Sequence, residues 1–166
     1  MSFDAFIFIP GAKGESDDTA HKGWIELQEY GFGFEMATGS GSRSDSGPAT
    51  TGRVKVSEFT GKKNIDIASG PLMLMVAQGQ PIQGIKIELC RAVGKKEKFV
   101  EIAVGSAIIT KCEISGSGGD ELPTESLALS AGTIEFKYYQ FEKDSDKLVT
   151  KNGMKWSQLE NKGSAV

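Results

Sequence analysis

His21 is the chain's one histidine. With Cys90, Cys112 and the acids Glu15, Asp17 and Asp18 it supplies most of the residue types from which a catalytic or metal centre could be assembled. Nucleophilic catalysis needs a base beside an activated hydroxyl or thiol. His21 stands in Asp18-Thr19-Ala20-His21-Lys22-Gly23-Trp24, and no Gly-x-Ser-x-Gly elbow occurs in the sequence. A lone histidine in an acidic loop reads as structural. One histidine and two distant cysteines close no tetrahedral zinc site at any familiar spacing. The acids at 15–18 lack the calcium-loop spacing.

The phosphate-binding patterns fail as well. Gly61-Lys62-Lys63 lacks the upstream glycine and following hydroxyl of a P-loop, and Gly39-Ser40-Gly41 does not open a helix after a strand. Among 22 acids some carboxylate pair is always nearby, so glycoside cleavage has no specific signal. The sequence predicts no catalytic residue, no metal ligand set and no cofactor: it reads as a protein that associates rather than as an enzyme.

The elements that would position these residues are mostly strands. At 166 residues the chain fits one domain, able to bury about 70% of the surface its unfolded form exposes. Twenty-one glycines punctuate short apolar segments, as the turns of a β fold require. Phe6-Ile7-Phe8-Ile9 is apolar on both faces, so the first strand is buried on both sides or lies at an interface. From Trp24 to Phe34 the alternation changes parity. Ile25 and Leu27 share one face, Tyr30, Phe32 and Phe34 the other, which places a bend near Gln28-Glu29. Past it, the three aromatics are expected in the core, with Glu29, Gly31 and Gly33 opposite.

Further strands are expected at 53–59, 82–91, 99–114 with a kink at Gly105, 125–129, 133–141 and 154–158. Ser69-Gly70-Pro71 before Leu72–Gln78 and Gly79 predicts one short helix capped by Ser69, packed as a plug or lid. In that helix Met73 and Met75 read as core filler. The expected fold class is mainly β: a β-barrel of two packed antiparallel sheets with one short flanking α-helix. Residues 37–52 form an extended polar loop, either functional or disordered, and residues 161–166 are expected to be a flexible tail.

With 19 basic against 22 acidic residues the formal charge is −3, which removes the electrostatic case for a nucleic-acid partner. Seven acids before residue 36 face only Lys13 and Lys22, whereas Arg53, Lys55, Lys62 and Lys63 outnumber Glu58 in the 53–63 stretch. These runs are either solvated faces or complementary ends of one molecule. The first residues have no basic segment, and no apolar run reaches the ~18 residues of a membrane helix. The expectation is a cytoplasmic product without a Sec-type signal and without stable membrane insertion, exported, if at all, by another route. Two cysteines can bridge or stay free, and free thiols fit that compartment.

Four stretches together resemble the haemolysin-coregulated protein (Hcp) family, the tube subunit of the bacterial type VI secretion system. They are Phe6-Ile7-x-Ile9-x-Gly11-x-x-Gly14-Glu15-Ser16-x-Asp18-x-x-His21-x-x-Trp24-Ile25; Gly52-Arg53-Val54 through Lys63-x-x-Asp66-x-Ala68-Ser69-x-x-Leu72; Cys112-Glu113-Ile114-Ser115 through Glu125-x-Leu127-x-Leu129 to Phe136-x-Tyr138; and the Trp156 segment. The chain departs from the family pattern at Tyr30 and Phe32, where tryptophans are common, and in the composition of its 37–52 loop. The resemblance implies a phage tail-tube-like fold and homohexameric rings stacked into a hollow tube. That tube is surrounded by contractile sheath proteins, carries a spike protein at its tip and is itself expelled into the extracellular space or a target cell. A chaperone-like receptor for secreted effectors is the competing function.

In the resembled ring the face of Glu29, Gly31 and Gly33 lines the lumen that carries small effectors. The alternative is that both glycines relieve strain in a twisted strand. The polar loop, through Ser40, Ser42, Arg43, Asp45, Ser46 and Thr50, is expected to reach the next ring.

Overall fold

The computed structural model of the chain describes residues 3–38, 51–91, 96–141 and 148–166. Phe3–Phe8 forms β1, with Ala5 and Ile7 buried toward one side and Phe6 toward the other. Ile25–Leu27 (β2) pairs antiparallel with it through Ala5↔Leu27 and Ile7↔Ile25. At Gln28 the chain changes sheet. Glu29–Gly31 (β3) bonds instead to Phe59–Asn64 (β6), and the Gln28 N–H donates to the Lys62 carbonyl at 2.7 Å. The parity change in the sequence is this corner.

Phe34–Thr38 (β4) and Thr51–Val56 (β5) then form a separate two-stranded ribbon, closed by Thr38↔Thr51. Residues 37, 38, 51 and 52 therefore belong to strands rather than to the expected loop. Ser40, Ser42, Arg43, Asp45, Ser46 and Thr50 lie outside the described residues. The single strand expected at 53–59 divides at Ser57-Glu58. Its second half, β6, alternates buried Phe59, Gly61 and Lys63 with outward residues, and a lysine at a core position hid that alternation.

The remaining strands shuttle between sheets. Ile85–Arg91 (β7) pairs with β1 and Glu97–Gly105 (β8) with β7; the chain turns at Ser106, φ 48°, and crosses as Ile108–Ser115 (β9). Gly105 is thus a break between strands rather than a kink within one. Thr124–Ser130 (β10) pairs with β6 and β9, while Thr133–Phe141 (β11) and Leu148–Ser157 (β12) return to the first sheet. Lys162–Ala165 (β13) pairs with β12 from Met154↔Ala165 to Ser157↔Lys162, so the expected flexible tail is an edge strand.

The result is an antiparallel sheet in the order β13-β12-β11-β8-β7-β1-β2, a second in the order β3-β6-β10-β9, and the β4-β5 ribbon. One core lies between the two larger sheets, built on Ile7, Ile25, Ile85, Ile87, Leu127 and Leu129. The expected class holds, mainly β with one helix. The sheets are open, however, ending at β13 and β2 and at β3 and β9, rather than closed into a barrel by hydrogen bonds.

The helix α1 (Ser69–Gln78) packs against β9 and buries Leu72. Gly79 stops it at φ 60°, its N–H on the Met75 carbonyl, the left-handed conformation in which glycine has no steric cost. The start differs from expectation. Ala68 occupies the cap position without a side-chain hydrogen bond, and Ser69 is the first helical residue. Met75 packs on the core, whereas Met73 is exposed, so only one of the two methionines fills space there.

Candidate functional site

The outward face of the smaller sheet is built from short, polar residues. Glu29 and Gly31 of β3 stand opposite Lys62 and Thr60 of β6; the same rows continue through Ser126 and Ala128 of β10 to Lys111 and Glu113 of β9. A shallow concavity of about 320 Å³ lies over these strands, touching Glu29, Thr60, Lys62, Lys111, Ser126 and Ala128. The Lys62–Glu29 pair spans 3.7 Å in solvent and contributes little. Such a face offers hydroxyls, ammoniums and bare backbone to a passing surface. It holds no nucleophile beside a base.

The structure brings Glu29 and Gly31 to this face together. Gly33 lies beyond β3, and its carbonyl accepts from the Ser57 N–H at 2.9 Å and hydroxyl at 3.0 Å. Neither glycine has a positive φ. A Cβ at Gly31 would press on the Thr60 hydroxyl at 2.8 Å, whereas one at Gly33 would meet only the Ser57 hydroxyl at 3.7 Å. Strain therefore gives no reason for glycine at 33.

The three aromatics expected in the core divide. Phe32 packs on the core, but Tyr30 and Phe34 remain 38% and 39% exposed. β3 is a three-residue edge strand, so the Tyr30 ring extends past it to meet Phe3 edge-on at 5.6 Å. Phe34 opens the β4 strand that leaves the core, and it meets Phe32 edge-on at 5.4 Å. Phe3 and Phe8, at opposite ends of β1, are exposed as well, Phe3 against Tyr30 and Phe8 against Trp24.

His21 has a structural place that its loop sequence did not reveal. The loop before β2 folds over β1, and the imidazole is buried flat on Phe6, centroids 4.1 Å apart and planes 2° apart, with Trp24 edge-on at 5.0 Å. Its Nδ1 lies 2.6 Å from Asp18 Oδ1 and its Nε2 2.9 Å from Glu88 Oε2. The second apolar face of β1 is thus covered at Phe6 by the chain itself. Lys96 joins Asp4 at 2.7 Å and Asp18 at 2.9 Å. Lys96 chiefly, with His21, outweighs burial and holds the Asp18 carboxyl down at about 2. Burial, reinforced by Glu88 and Asp18, pushes the Cys90 thiol up to about 11, which favours the neutral thiol over the reactive thiolate. Cys90 and Cys112 are unbridged.

Among the described residues no group of three or more potential ligands is placed to hold a metal ion. A family model described as "Type VI secretion system effector, Hcp" matches residues 6–138. The chain belongs to the Hcp family. It is 27% identical to protein hcp1 of Pseudomonas aeruginosa over 148 residues, covering 89% of this chain and 90% of that one. A solved type six secretion system protein superposes with TM-score 0.88 at 26% identity, over 98% and 100% of the two chains. Hcp1 from Salmonella typhimurium shares the fold at TM-score 0.78 and 23% identity, over 99% and 100%.

Within the region matched to Hcp lies a second polar centre, between β6, β10 and α1. Lys63 and Glu125 are both buried, Nζ to Oε2 2.8 Å. The Lys63 ammonium also reaches Asp66 at 2.7 Å, the Asn64 carbonyl at 3.0 Å and the Ser69 hydroxyl at 3.2 Å. Ser69 donates to Glu125 Oε2, and the Cys112 thiol to Glu125 Oε1 at 2.7 Å. Burial alone would raise the Glu125 carboxyl, but these donors from Cys112, Lys63 and Ser69 outweigh it and hold the carboxyl below its ordinary value. Burial and then Glu125 push the Cys112 thiol up to about 12.

The sequence suggested Ser69 as a cap because a hydroxyl precedes Gly-Pro. Its hydroxyl instead donates to Glu125, 56 residues away, and accepts from the Lys63 ammonium and the Asp66 N–H. Ser69→Ala removes a donor to a buried carboxylate and an acceptor for a buried ammonium, so the expected loss is about 2 kcal/mol, within the range for a lost hydrogen bond to a charged group. Urea unfolding of the variant checks this. A loss near zero would mean that water replaces the hydroxyl.

Proposed function

We propose that the chain is a tube subunit of a type VI secretion system. Six copies form a ring, rings stack into a hollow tube, and a contractile sheath expels the tube with a spike protein at its tip. Membership of the Hcp family across residues 6–138 is the observation that carries this reading. The exposed Phe3–Tyr30 pair supports it, since apolar surface left on a monomer commonly marks an interface. The protein is made in the cytoplasm and leaves by expulsion of the tube. Among the described residues no helix is long and apolar enough to cross a membrane. The polar loop holding Ser40, Ser42, Arg43, Asp45, Ser46 and Thr50 reaches from one ring to the next.

In the ring, the face of Glu29 and Gly31, continued by Gly33, lines the lumen and carries small effectors. Short side chains keep the bore open, because symmetry multiplies any bulk introduced there around the ring. Light scattering and negative-stain images of purified protein should show rings, each contact burying more than about 1,000 Å² as specific interfaces do. A monomer at every concentration overturns the reading. Gly33→Gln has room for its Cβ and should leave rings intact while reducing co-purification of a small effector severalfold. Undiminished recovery would remove Gly33 from the cargo surface, and collapse of the ring would assign it to assembly.

A further inference from the structure

The outward face of the larger sheet, away from the Glu29 and Gly31 face, carries a chain of ion pairs that ends at a groove. From His21 the chain runs through Glu88 to Lys98 (3.1 Å), Glu101 (2.5 Å), Lys137 (3.4 Å), Glu135 (2.7 Å) and Lys155 (3.3 Å). Every carboxylate in it touches at least one cation. Just beyond, the pattern of side chains changes. One cross-strand row reads Lys86↔Ala103↔Glu135↔Lys155↔Ser164 over five strands, and the next row on the same face reads Gly105↔Thr133↔Ser157↔Lys162. Small residues at 103, 105, 133 and 157 leave a cavity of about 560 Å³ where the neighbouring rows carry long charged side chains.

The charge around this groove is not balanced. Glu135, its one acid, is shared by Lys137 and Lys155. Lys86 and Lys162, exposed on β7 and on the edge strand β13, have no ion-pair partner among the described residues. The two ammoniums therefore stand at opposite sides of a floor on which an incoming backbone can lie close. Five strands at about 4.8 Å spacing span roughly 19 Å, the length of about six extended residues.

We propose that this groove docks an extended acidic segment of a partner protein. The partner's backbone lies over Ala103, Gly105 and Thr133, and its carboxylates meet Lys86 at one side and Lys162 at the other. A basic segment is excluded because the only acid is already paired.

The test uses the full chain and two fluorescein-labelled heptapeptides, one alternating Ser and Glu, the other Ser and Lys, read by fluorescence anisotropy at low and at physiological salt. The acidic peptide should bind saturably and the basic one should not. Lys86→Glu and Lys162→Glu should each weaken the acidic peptide at least tenfold. Thr133→Gln, which fills the floor without changing charge, should do so too, and Lys111→Glu on the other sheet should leave binding unchanged. Circular dichroism identifies variants that fold; both lysines are exposed, so their substitution leaves the core untouched. Absence of binding, equal binding of both peptides, or an equal loss with Lys111→Glu overturns the proposal. So does dissociation of the protein's own assembly by Lys86→Glu, which would show that a second copy fills the groove.

Discussion

Lys63→Met should destabilise the protein by about 3–5 kcal/mol, the usual cost of removing one member of a buried ion pair. Methionine fills the volume of the lysine stem, so little of the loss comes from packing. It comes from Glu125, which has no exposure to water and keeps only the hydroxyl of Ser69 and the thiol of Cys112 as donors.

The pH dependence should change sign. In the wild type the Glu125 carboxyl is held below its unfolded value, so its contribution is present above about pH 4.3 and lost as pH falls through the folded value. Without Lys63, burial dominates and raises the carboxyl. The folded state then binds a proton that the unfolded state releases, and stability declines as pH rises from 5 to 8. The double variant Lys63→Met with Glu125→Leu should recover most of the loss, because an apolar pair of similar volume needs no desolvation of charge. Urea unfolding at pH 5 and pH 8 measures all three. If Lys63→Met and wild type share one pH profile, water reaches Glu125 and the burial argument is wrong.

This centre shows why the order of elements was legible in the sequence while their pairing was not. Phe6 to Ile9, Ile85 to Arg91 and Glu125 to Leu129 alternate or run apolar in ways that only strands satisfy, and Gly79 marks the helix end by conformation alone. β6 escaped because Lys63 occupies a core position; a charged residue there is explicable only through Glu125, 62 positions later in the chain. No apolar pattern marks residues 161–166, so the sequence predicts a flexible tail, yet β12 offers a free edge and backbone hydrogen bonds need no particular side chain. Tyr30 and Phe34 were assigned to the core by parity. Parity gives the side a residue faces, not whether the sheet continues far enough to cover it.

The shared face of Glu29 and Gly31 could be placed by alternation. Its proposed relation to a channel rests on family resemblance, because a lumen is a property of several chains, and one sequence carries no direct signal of it. In the sequence His21 is only a lone histidine in an acidic loop. What His21 does depends on Glu88 and Phe6, which no spacing connects to it.

His21→Ala should free the loop over β1 without unfolding the sheets. The imidazole supplies the stacked cover of Phe6 and the link between Asp18 and Glu88, so removing it leaves a cavity and two carboxylates that keep Lys96 and Lys98 as cations, with backbone N–H donors at Asp18. The expected loss is about 2–3 kcal/mol, below the range for a large core aromatic because the loop can partly collapse onto the space. The backbone limits that collapse. Gly14 lies so close to Trp24 that a Cβ would come within 2.3 Å of its carbonyl oxygen, and Gly23 turns at φ 77°.

The local readout is Cys90, which is 1% exposed with its sulfur 3.9 Å from His21 Nε2. Alkylation followed residue by residue, so that Cys112 is counted separately, should be slow at Cys90 in the wild type and at least tenfold faster in His21→Ala under conditions where both proteins remain folded. A tenfold change corresponds to about 1.4 kcal/mol in the opening equilibrium. If Cys90 stays protected while the thermal midpoint falls, His21 stabilises the whole sheet rather than latching its loop. If neither changes, the stacking on Phe6 is replaceable by solvent.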